Sequence, residues 1–597
     1  LVTLIVFIIP IMKGEDAFLE YYKQQTIVTD GEWDNFQTSI HQPLPASFVV
    51  VEQYAGGAGK RLLAQLESGR YQDLSCLDWY PNRLAWHATT PRVSWSDDFK
   101  QFLKAQTEMG TIIRQEVVSM IPVLLLTDNS LPANPSFLDI CAAPGSKTAQ
   151  LAQVLRQRSS DDSGVIVAND CNANRASMLM SRLKCSGSAA LVVTRCDAAE
   201  FPANQLFDRV LCDVPCSGDG TIRKAPKLLS NWKPTSASAL HAQQLKIAKR
   251  AFRLTKPGGR MVYSTCSFNP IENEAVVLAL LHEFGDQIRV LENSQLLKGL
   301  HRSPGLTHWE VLAANGPDTA FTAYESREEA KRTKHGGQCP DTLFPVGQRL
   351  SELSHCMRLL PHHNNAGGFF VALLERRDII SVERAFADLP SVSDPKFRGD
   401  SLFPFVPILS AKNGREITEC ITQSMNLLDS FPMKSIFFRD HGDDDAHDGQ
   451  NHGRRARLYM LSPMAARFAQ YYTTTSNLMH AGVRIFERCS RPDGVDMEFR
   501  LSWEGLNHVI PHISLKEMML SMSLASLTPL LSGKPMPISS EIAMLSCTND
   551  ENAYRGNIIV ECELDNITVQ LPGRLSARSI QLLSPARALD AMSLMIK

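Results

Sequence analysis

The sequence predicts an α/β chain, with a mostly parallel, doubly wound sheet at its centre, an N-terminal α/β extension and a C-terminal β-rich region. Three observations carry that prediction. From residue 136 onward, short β-branched and aliphatic runs alternate with helical stretches, the pattern of a parallel sheet covered on both faces. Several of those runs end in an aspartate, a cysteine or a small-residue loop, which gathers reactive groups at one sheet edge, where open α/β sheets bind ligands. Beyond residue 402 the rhythm changes to short strands with few long helices.

The elements follow in order. EDAFLEYYKQQ and DGEWDNFQTSI read as helices, the second capped by Asp30, and PASFVVV reads as a strand. AGGAGKRLLAQL opens a helix after a glycine-rich turn. It is not a phosphate loop, because Tyr54 stands where the first Gly belongs and Arg61 follows Lys60 where Ser or Thr is needed. Strand SFLDI then leads through CAAPGSK to helix TAQLAQVLRQ, and strand GVIVAND to helix NRASMLMSRLK. Strands AALVVTRCDA and FDRVLCDVP follow, then the long helix SALHAQQLKIAKRAFRL, strand RMVYSTCS and helix ENEAVVLALLHEF. GGFFVALLE, residues 367–375, is a further strand expected to close the sheet's edge. Turn formers at 388–401 read as a linker, beyond which RLYMLS, GVRIFERC, EFRLS and NIIVECEL read as strands of a separate domain. The expected division is residues 1–88, 89–382, a linker over 383–401, and 402–597. HGDDDAHDGQNHGRR reads as a surface loop whose acidic part is 443–448.

Composition bounds the rest. The 597 residues are 44% hydrophobic and 21% charged, ordinary for a globular protein, and the net charge of −2 gives no global attraction to nucleic acid. A local patch remains in TIRKAPKLLSNWK, where Arg223, Lys224, Lys227 and Lys233 would hold phosphates and Trp232 would stack a base. The fourteen cysteines show no zinc-finger spacing, and His355-Cys356 and His362-His363 lack a second pair, so no metal is expected. The apolar start, LVTLIVFIIPIM, is shorter than the roughly 20 residues of a spanning helix, so no membrane is expected.

Cys141, Ala142, Ala143, Pro144, Gly145, Ser146 and Lys147 follow the first strand of the rhythm and open a helix, so free backbone N–H groups there suit a nucleotide-like cofactor. Asp170 ends the next strand, where an acid grips ribose hydroxyls, and Asp197 and Asp213 end the two after it. Cys216 and Cys266 each follow an apolar strand and precede a turn, which places two potential nucleophiles at one edge.

At these residues the chain resembles the Nop/Sun family of S-adenosylmethionine-dependent RNA (cytosine-5) methyltransferases. DICAAPGSKT resembles its cofactor motif, CDVPCSGDGT its motif with the release cysteine, and STCSFNPIENE its motif with the nucleophile. EYYKQQTIVTDGEWDNF, WYPNRLAWH, RQEVVSMIPVLLL, PGLTHWEV and RLLPHHNNAGGFFVALL resemble the eukaryotic tRNA branch, which shares Ser146 where other branches have Gly. The resemblance covers residues 15–380 and continues more weakly to the C-terminus, where that branch carries a PUA-like RNA-binding domain.

The resemblance implies a Rossmann-like class I methyltransferase domain, S-adenosylmethionine as cofactor, and tRNA as partner. It makes Cys266 the nucleophile that adds to cytosine C6 and Cys216 the cysteine that assists release. Asp213, if protonated, would hydrogen-bond N3 and the amino group, and Lys147 would stabilise charge on the ring carbonyl. The expected protein is a monomer of the nucleus, with nucleolus and cytoplasm as further compartments. The alternatives are C5 methylation of messenger or ribosomal RNA, a DNA cytosine-5 methyltransferase, and an RNA-binding scaffold without catalysis. STCS, with its second cysteine, favours RNA over DNA.

Overall fold

The computed structural model describes residues 14–52, 57–158, 163–202, 205–292, 297–313, 321–324, 326–332, 339–380, 405–411, 413–439, 457–474, 478–488, 499–514, 518–537, 556–564, 567–575, 579–584, 589 and 592–593. The apolar start, Tyr54, the expected linker and the acidic loop lie outside the described residues.

Two helices come first among the described residues, α1 (Glu15–Gln24) and α2 (Trp33–Ile40). Asp30 is not the cap of α2: it begins a 3₁₀ turn, Asp30–Glu32, after Thr29, whose hydroxyl donates to the Glu32 carboxylate at 2.8 Å. A small antiparallel sheet follows, built from β1 (Ser47–Val50), β2 (Leu74–Cys76), β3 (Ala85–Ala88) and β4 (Ile112–Arg114) in the order β2-β3-β1-β4. Helices α3 (Ala58–Glu67) and α4 (Asp97–Met109) flank it, α4 being capped by Ser96, whose side chain accepts from Phe99 N–H. Helix α5 (Ile121–Leu126) leads into the central sheet.

That sheet is the predicted one. Strands β5 (Ser136–Asp139), β6 (Val165–Asn169), β7 (Leu191–Thr194), β8 (Phe207–Asp213) and β9 (Thr255–Thr265) are parallel. Helices α6 (Ser146–Arg158), α7 (Ala173–Leu183), α8 (Lys227–Ser230), α9 (Thr235–Leu254) and α10 (Glu274–Phe284) connect or cover them. Strands β6 and β7 are buried throughout, as sheets covered on both faces require. After β10 (Ile288–Val290), β11 (Ser303–Pro304) and the β12–β13 hairpin (Val311–Ala313, Thr322–Tyr324), helix α11 (Arg327–Lys331) precedes β14 (Met357–Leu359), α12 (Pro361–Asn364) and β15 (Phe369–Arg376). The order is β11-β14-β15-β9-β8-β5-β6-β7. Strand β15 does not close the edge. It lies antiparallel between β9 and β14, because its six residues Phe369–Leu374 are apolar and all buried.

The chain runs β5, β6, β7 outward in one direction and returns to β8 on the other side of β5. The strand order therefore reverses between β5 and β8, and the crevice at their carboxyl ends is the binding position of such folds.

The C-terminal region is β-rich but not separate. Strands β16 (Phe405–Pro407), β17 (Ile436–Arg439), β18 (Arg457–Met460), β20 (Val483–Arg488) and β21 (Phe499–Leu501) form one antiparallel sheet. Between them, β19 (Leu478–Ala481) pairs antiparallel with β7 and extends the central sheet. Helix Pro463–Thr474 packs Phe468 on Phe207 (5.6 Å between ring centroids) and Tyr472 on Phe201 (5.9 Å). Each such buried side chain contributes about 1.5–3 kcal/mol, and one continuous core spans both regions. The two 12-residue helices Gly414–Met425 and Pro463–Thr474 are also longer than expected. A last sheet has the order β22-β24-β25-β26-β23, from Met519–Ser521, Met536–Pro537, Gly556–Leu564, Ile567–Leu575 and Ser579–Leu582. Among the described residues no helix is long and apolar enough to cross a membrane.

Candidate active site

The loop after β5 is fixed by its neighbours. Ala142 N–H donates to Asn169 O at 2.7 Å, and Arg175 holds the Ala143 carbonyl at 2.9 Å. The Ala143–Pro144 peptide is cis, and Gly145 has φ +104°, where a Cβ would lie 2.8 Å from Leu179 Cδ1. The loop therefore takes small residues, and Ser146 and Lys147 begin α6 rather than preceding it. Asn169 joins three strand ends: its amide donates to the carbonyls of Ile140 and Cys196, and its oxygen accepts from Thr194 and Cys196.

Asp170 is 4% exposed, ion-paired to Arg175 at 3.1 Å and accepting from Asn172 N–H at 3.0 Å. Asp197 is exposed and caps the turn Ala198–Glu200 through Ala199 N–H. Asp139, which no sequence argument singled out, lies buried under the crevice. Its Oδ2 accepts from Thr148 and its Oδ1 has no hydrogen-bond partner; burial pushes its carboxyl up to about 7. Cys141 sits at the lip of this pocket, its thiol pushed well up by burial.

On the other side of the crevice, Lys147 and Asp213 pair. Lys147 Nζ donates to Asp213 Oδ2 at 2.8 Å and to Ser119 Oγ at 2.6 Å, and it stands 5.3 Å over the Phe369 ring. Burial opposes its charge, but Asp213, Asp139 and Cys266 outweigh burial and raise its pKa. Asp213 Oδ1 accepts from Ser264 at 2.8 Å. The Lys147 and Asp213 side chains are thus held in place by each other and by Ser119 and Ser264.

The two thiols meet. Cys216 Sγ and Cys266 Sγ are 3.2 Å apart, both half-buried. The Cys216 thiol is held well above its ordinary value, first by its hydrogen bond to the Cys266 sulfur and then by burial. One buried carboxylate ties their loops together. Glu272 accepts from Ser217 N–H (2.8 Å), Ser217 Oγ (2.5 Å), Ser267 Oγ (2.6 Å) and Gln244 Nε2 (2.8 Å). Burial raises its pKa. Gly220 N–H donates to Cys266 O and Gly368 N–H to Gly220 O, an approach so close that a Cβ on Gly220 would fall 2.4 Å from Gly368 O. Asp219, accepting from Tyr22, Phe268 N–H and Trp232, anchors the same loop to α1.

The structure therefore brings Cys216, Cys266, Asp213, Lys147 and the 141–147 loop to one edge, with Asp170 on the neighbouring strand end. It does not support the basic patch as drawn. Arg223 is buried and donates to Gln42 O, Pro43 O, Ala366 O and Asn365 Oδ1. Trp232 is buried among Phe18, Tyr21 and Tyr22, so it cannot stack an incoming base; Lys224, Lys227 and Lys233 are exposed. Sequence reasoning missed Ser119, Ser264 and Glu272. The signal for Glu272 was present, since a carboxylate in the apolar-flanked stretch FNPIENE needs buried donors.

Residues 129–375 match the family model described as 16S rRNA methyltransferase RsmB/F, and residues 407–514 match the NSUN2 Pre-PUA domain. The multisite-specific tRNA:(cytosine-C(5))-methyltransferase of Saccharomyces cerevisiae is 37% identical over 61% of this chain and 56% of its own length. The tRNA (cytosine(34)-C(5))-methyltransferase of Drosophila melanogaster is 38% identical over 62% and 54%. The multisite-specific tRNA:(cytosine-C(5))-methyltransferase trm4b of Schizosaccharomyces pombe is 34% identical over 68% and 64%. The chain thus spans little more than half the length of the first two. A solved methyltransferase homolog from Pyrococcus horikoshii is 23% identical over 59% of this chain and 93% of its own, with a TM-score of 0.43. Residues 129–375 are a methyltransferase domain of the RsmB/F family, followed in the same chain by an NSUN2-type pre-PUA domain.

Proposed function

We propose that the chain transfers a methyl group from S-adenosylmethionine to C5 of cytosine in RNA, with tRNA as the substrate. The observation that carries this reading is the pair of sulfurs 3.2 Å apart beside the Lys147–Asp213 pair, at the carboxyl ends of β8 and β9. The names of the curated relatives support tRNA.

The residues present fit the cofactor. The small-residue loop 141–145 admits a ligand close to the backbone, Asp170 is an acid at the neighbouring strand end, and the buried Asp139 Oδ1 lacks a partner. When bound, the cofactor supplies an electrophilic methyl group. Cys266 Sγ forms a bond to C6, which makes C5 electron-rich and able to take that methyl. Asp213, fixed by Ser264 and Lys147, accepts from the amino group and in its protonated form donates to N3, and Lys147 donates to the ring carbonyl. Loss of the C5 proton then expels the Cys266 thiolate and restores the ring. Cys216 is suited to take that proton at the right moment. Its pKa is raised first by the bond to the Cys266 sulfur. Once that sulfur is bonded to carbon it is a poorer acceptor, so the half-buried Cys216 gives its own proton to solvent and, as a thiolate, takes the C5 proton.

A cytosine must be unpaired or flipped to reach this crevice. RNA contact is supported by a cavity of about 430 Å³ beside Gly145 and Ser146, lined in part by Arg114, Arg156 and Arg182, and by the exposed Lys224, Lys227 and Lys233. Methyl transfer from labelled cofactor to tRNA, ribosomal RNA and duplex DNA tests the reading. Cys216→Ala should leave a covalent protein–tRNA band on a denaturing gel, and that band should vanish when Cys266→Ala is added. A band with Cys266→Ala alone would reverse the roles, and transfer only to DNA would overturn the substrate.

A further inference from the structure

Two successive histidines on α12 converge on a carboxylate from the start of the chain. His363 Nε2 is 3.1 Å from Glu32 Oε1, and His362 Nε2 is 3.6 Å from the same oxygen. One ligand atom from each of the three lies within 4.8 Å of the others. A tetrahedral ion with bonds of about 2.0–2.1 Å to nitrogen and oxygen holds its ligands about 3.3–3.5 Å apart, so the three need only small rotations to share one.

The independent observation is His362 itself. Its side chain is 9% exposed, and neither ring nitrogen has a hydrogen-bond partner. A neutral imidazole carries one N–H donor and one lone pair, and burying both without partners is costly. His363 Nδ1 is buried without a partner as well. His301 packs against His363 with 4.5 Å between ring centroids and 33° between their planes.

We propose that Glu32, His362 and His363 form a zinc site with its fourth position open to water. Two imidazoles and a carboxylate are a zinc-type donor set. This departs from the expectation, drawn from cysteine spacing, that the chain holds no metal. The site's place in the fold gives it a purpose. Glu32 immediately precedes α2, while α12 leads to Asn365 and Ala366, which Arg223 ties to Gln42 and Pro43, and then to Gly368 against the Cys216 loop. An ion there would fasten the N-terminal helices to the segment that backs the two thiols.

The test uses the full chain, stripped with a chelator and titrated with zinc against a chromogenic competitor. The expected result is one zinc per chain, with His362→Ala and His363→Ala each lowering affinity by more than about 100-fold and Glu32→Gln by about tenfold. X-ray absorption should show nitrogen and oxygen neighbours near 2.0–2.1 Å and no sulfur near 2.3 Å. Glu32→Gln changes a half-exposed group, so it reports even if a histidine variant misfolds. Failure of the folded chain to retain zinc would overturn the site. Sulfur ligation that survives His362→Ala would also overturn it, assigning the metal to cysteines instead.

Discussion

Removal of the Glu272 carboxylate should disarm the thiols without touching the cofactor. In the structure it accepts four hydrogen bonds, two of them from Ser217, one from Ser267 and one from Gln244. Glu272→Ala strands these buried donors at about 1–3 kcal/mol each, with relaxation recovering part, so a net loss of about 3–4 kcal/mol in holding the two loops is expected. Each 1.36 kcal/mol is tenfold in rate if the alignment is needed in the transition state, so kcat should fall about 10²- to 10³-fold. Glu272 touches no residue of the 141–147 loop through these bonds, so cofactor affinity by calorimetry should stay within about twofold. Glu272→Gln retains one carbonyl acceptor, and the serine hydroxyls can turn to accept from its amide, so it should recover most of the rate. Glu272 is a positioning residue, and the split between kcat and cofactor binding is its signature. A folded Glu272→Ala enzyme with a rate within threefold of the parent would refute the reasoning, as would equal losses in both quantities.

Three further outcomes follow from the same geometry. Asp139 has its pKa raised from 3.8 to about 7 by burial, so the native state holds a proton the unfolded chain releases. Its contribution is full below about pH 4 and is lost as pH rises toward 7, at most about 4 kcal/mol. Asp139→Asn should therefore be more resistant to urea than the parent at pH 8 and show no such gain at pH 4; an equal effect at both would contradict the burial argument. Deleting residues 402–597 uncovers the β7 edge and the Phe201 and Phe207 rings, so the truncated chain should melt earlier and aggregate, rather than only losing RNA affinity; a monomeric truncation with unchanged melting would show the regions to be separable. Trp232→Ala should cost about 3–5 kcal/mol of stability through the Phe18–Tyr21–Tyr22 cluster, and tRNA binding by the surviving folded fraction, measured by filter retention, should be unchanged.

What was legible in the sequence was what repeats locally. The parallel strands announce themselves by apolar runs ending in turn formers, and the site residues sit at those ends, so Cys216, Cys266, Asp213 and the 141–147 loop could be placed at one edge. What was not legible depends on partners far away in the chain. GGFFVALLE has the composition of any buried strand, and only its pairing with both β9 and β14 shows that it is internal. TIRKAPKLLSNWK looks like a phosphate-binding loop until Arg223 finds four acceptors from residues 42–43 and 365–366 and Trp232 finds α1. Glu272 gains its meaning only when the two cysteine loops lie side by side. A shift of composition near residue 402 marked a change of architecture correctly, yet it concealed that β19 returns to the central sheet.

That returning strand bears on how the protein is made. Strand β7 ends at Thr194, and its partner β19 begins at Leu478, roughly 280 residues later. At about 5–20 residues per second on the ribosome, β7 emerges tens of seconds before the strand that covers it. For that interval the nascent catalytic sheet offers an open ladder of N–H and C=O groups beside exposed aromatic rings, a surface that invites pairing with the wrong chain. Completion of the sheet thus waits on synthesis of the roughly 280 residues between the two strands. A chain interrupted after Cys266 and before β19 leaves the ribosome with every reactive residue of the crevice present and the β7 margin of its sheet still unpaired.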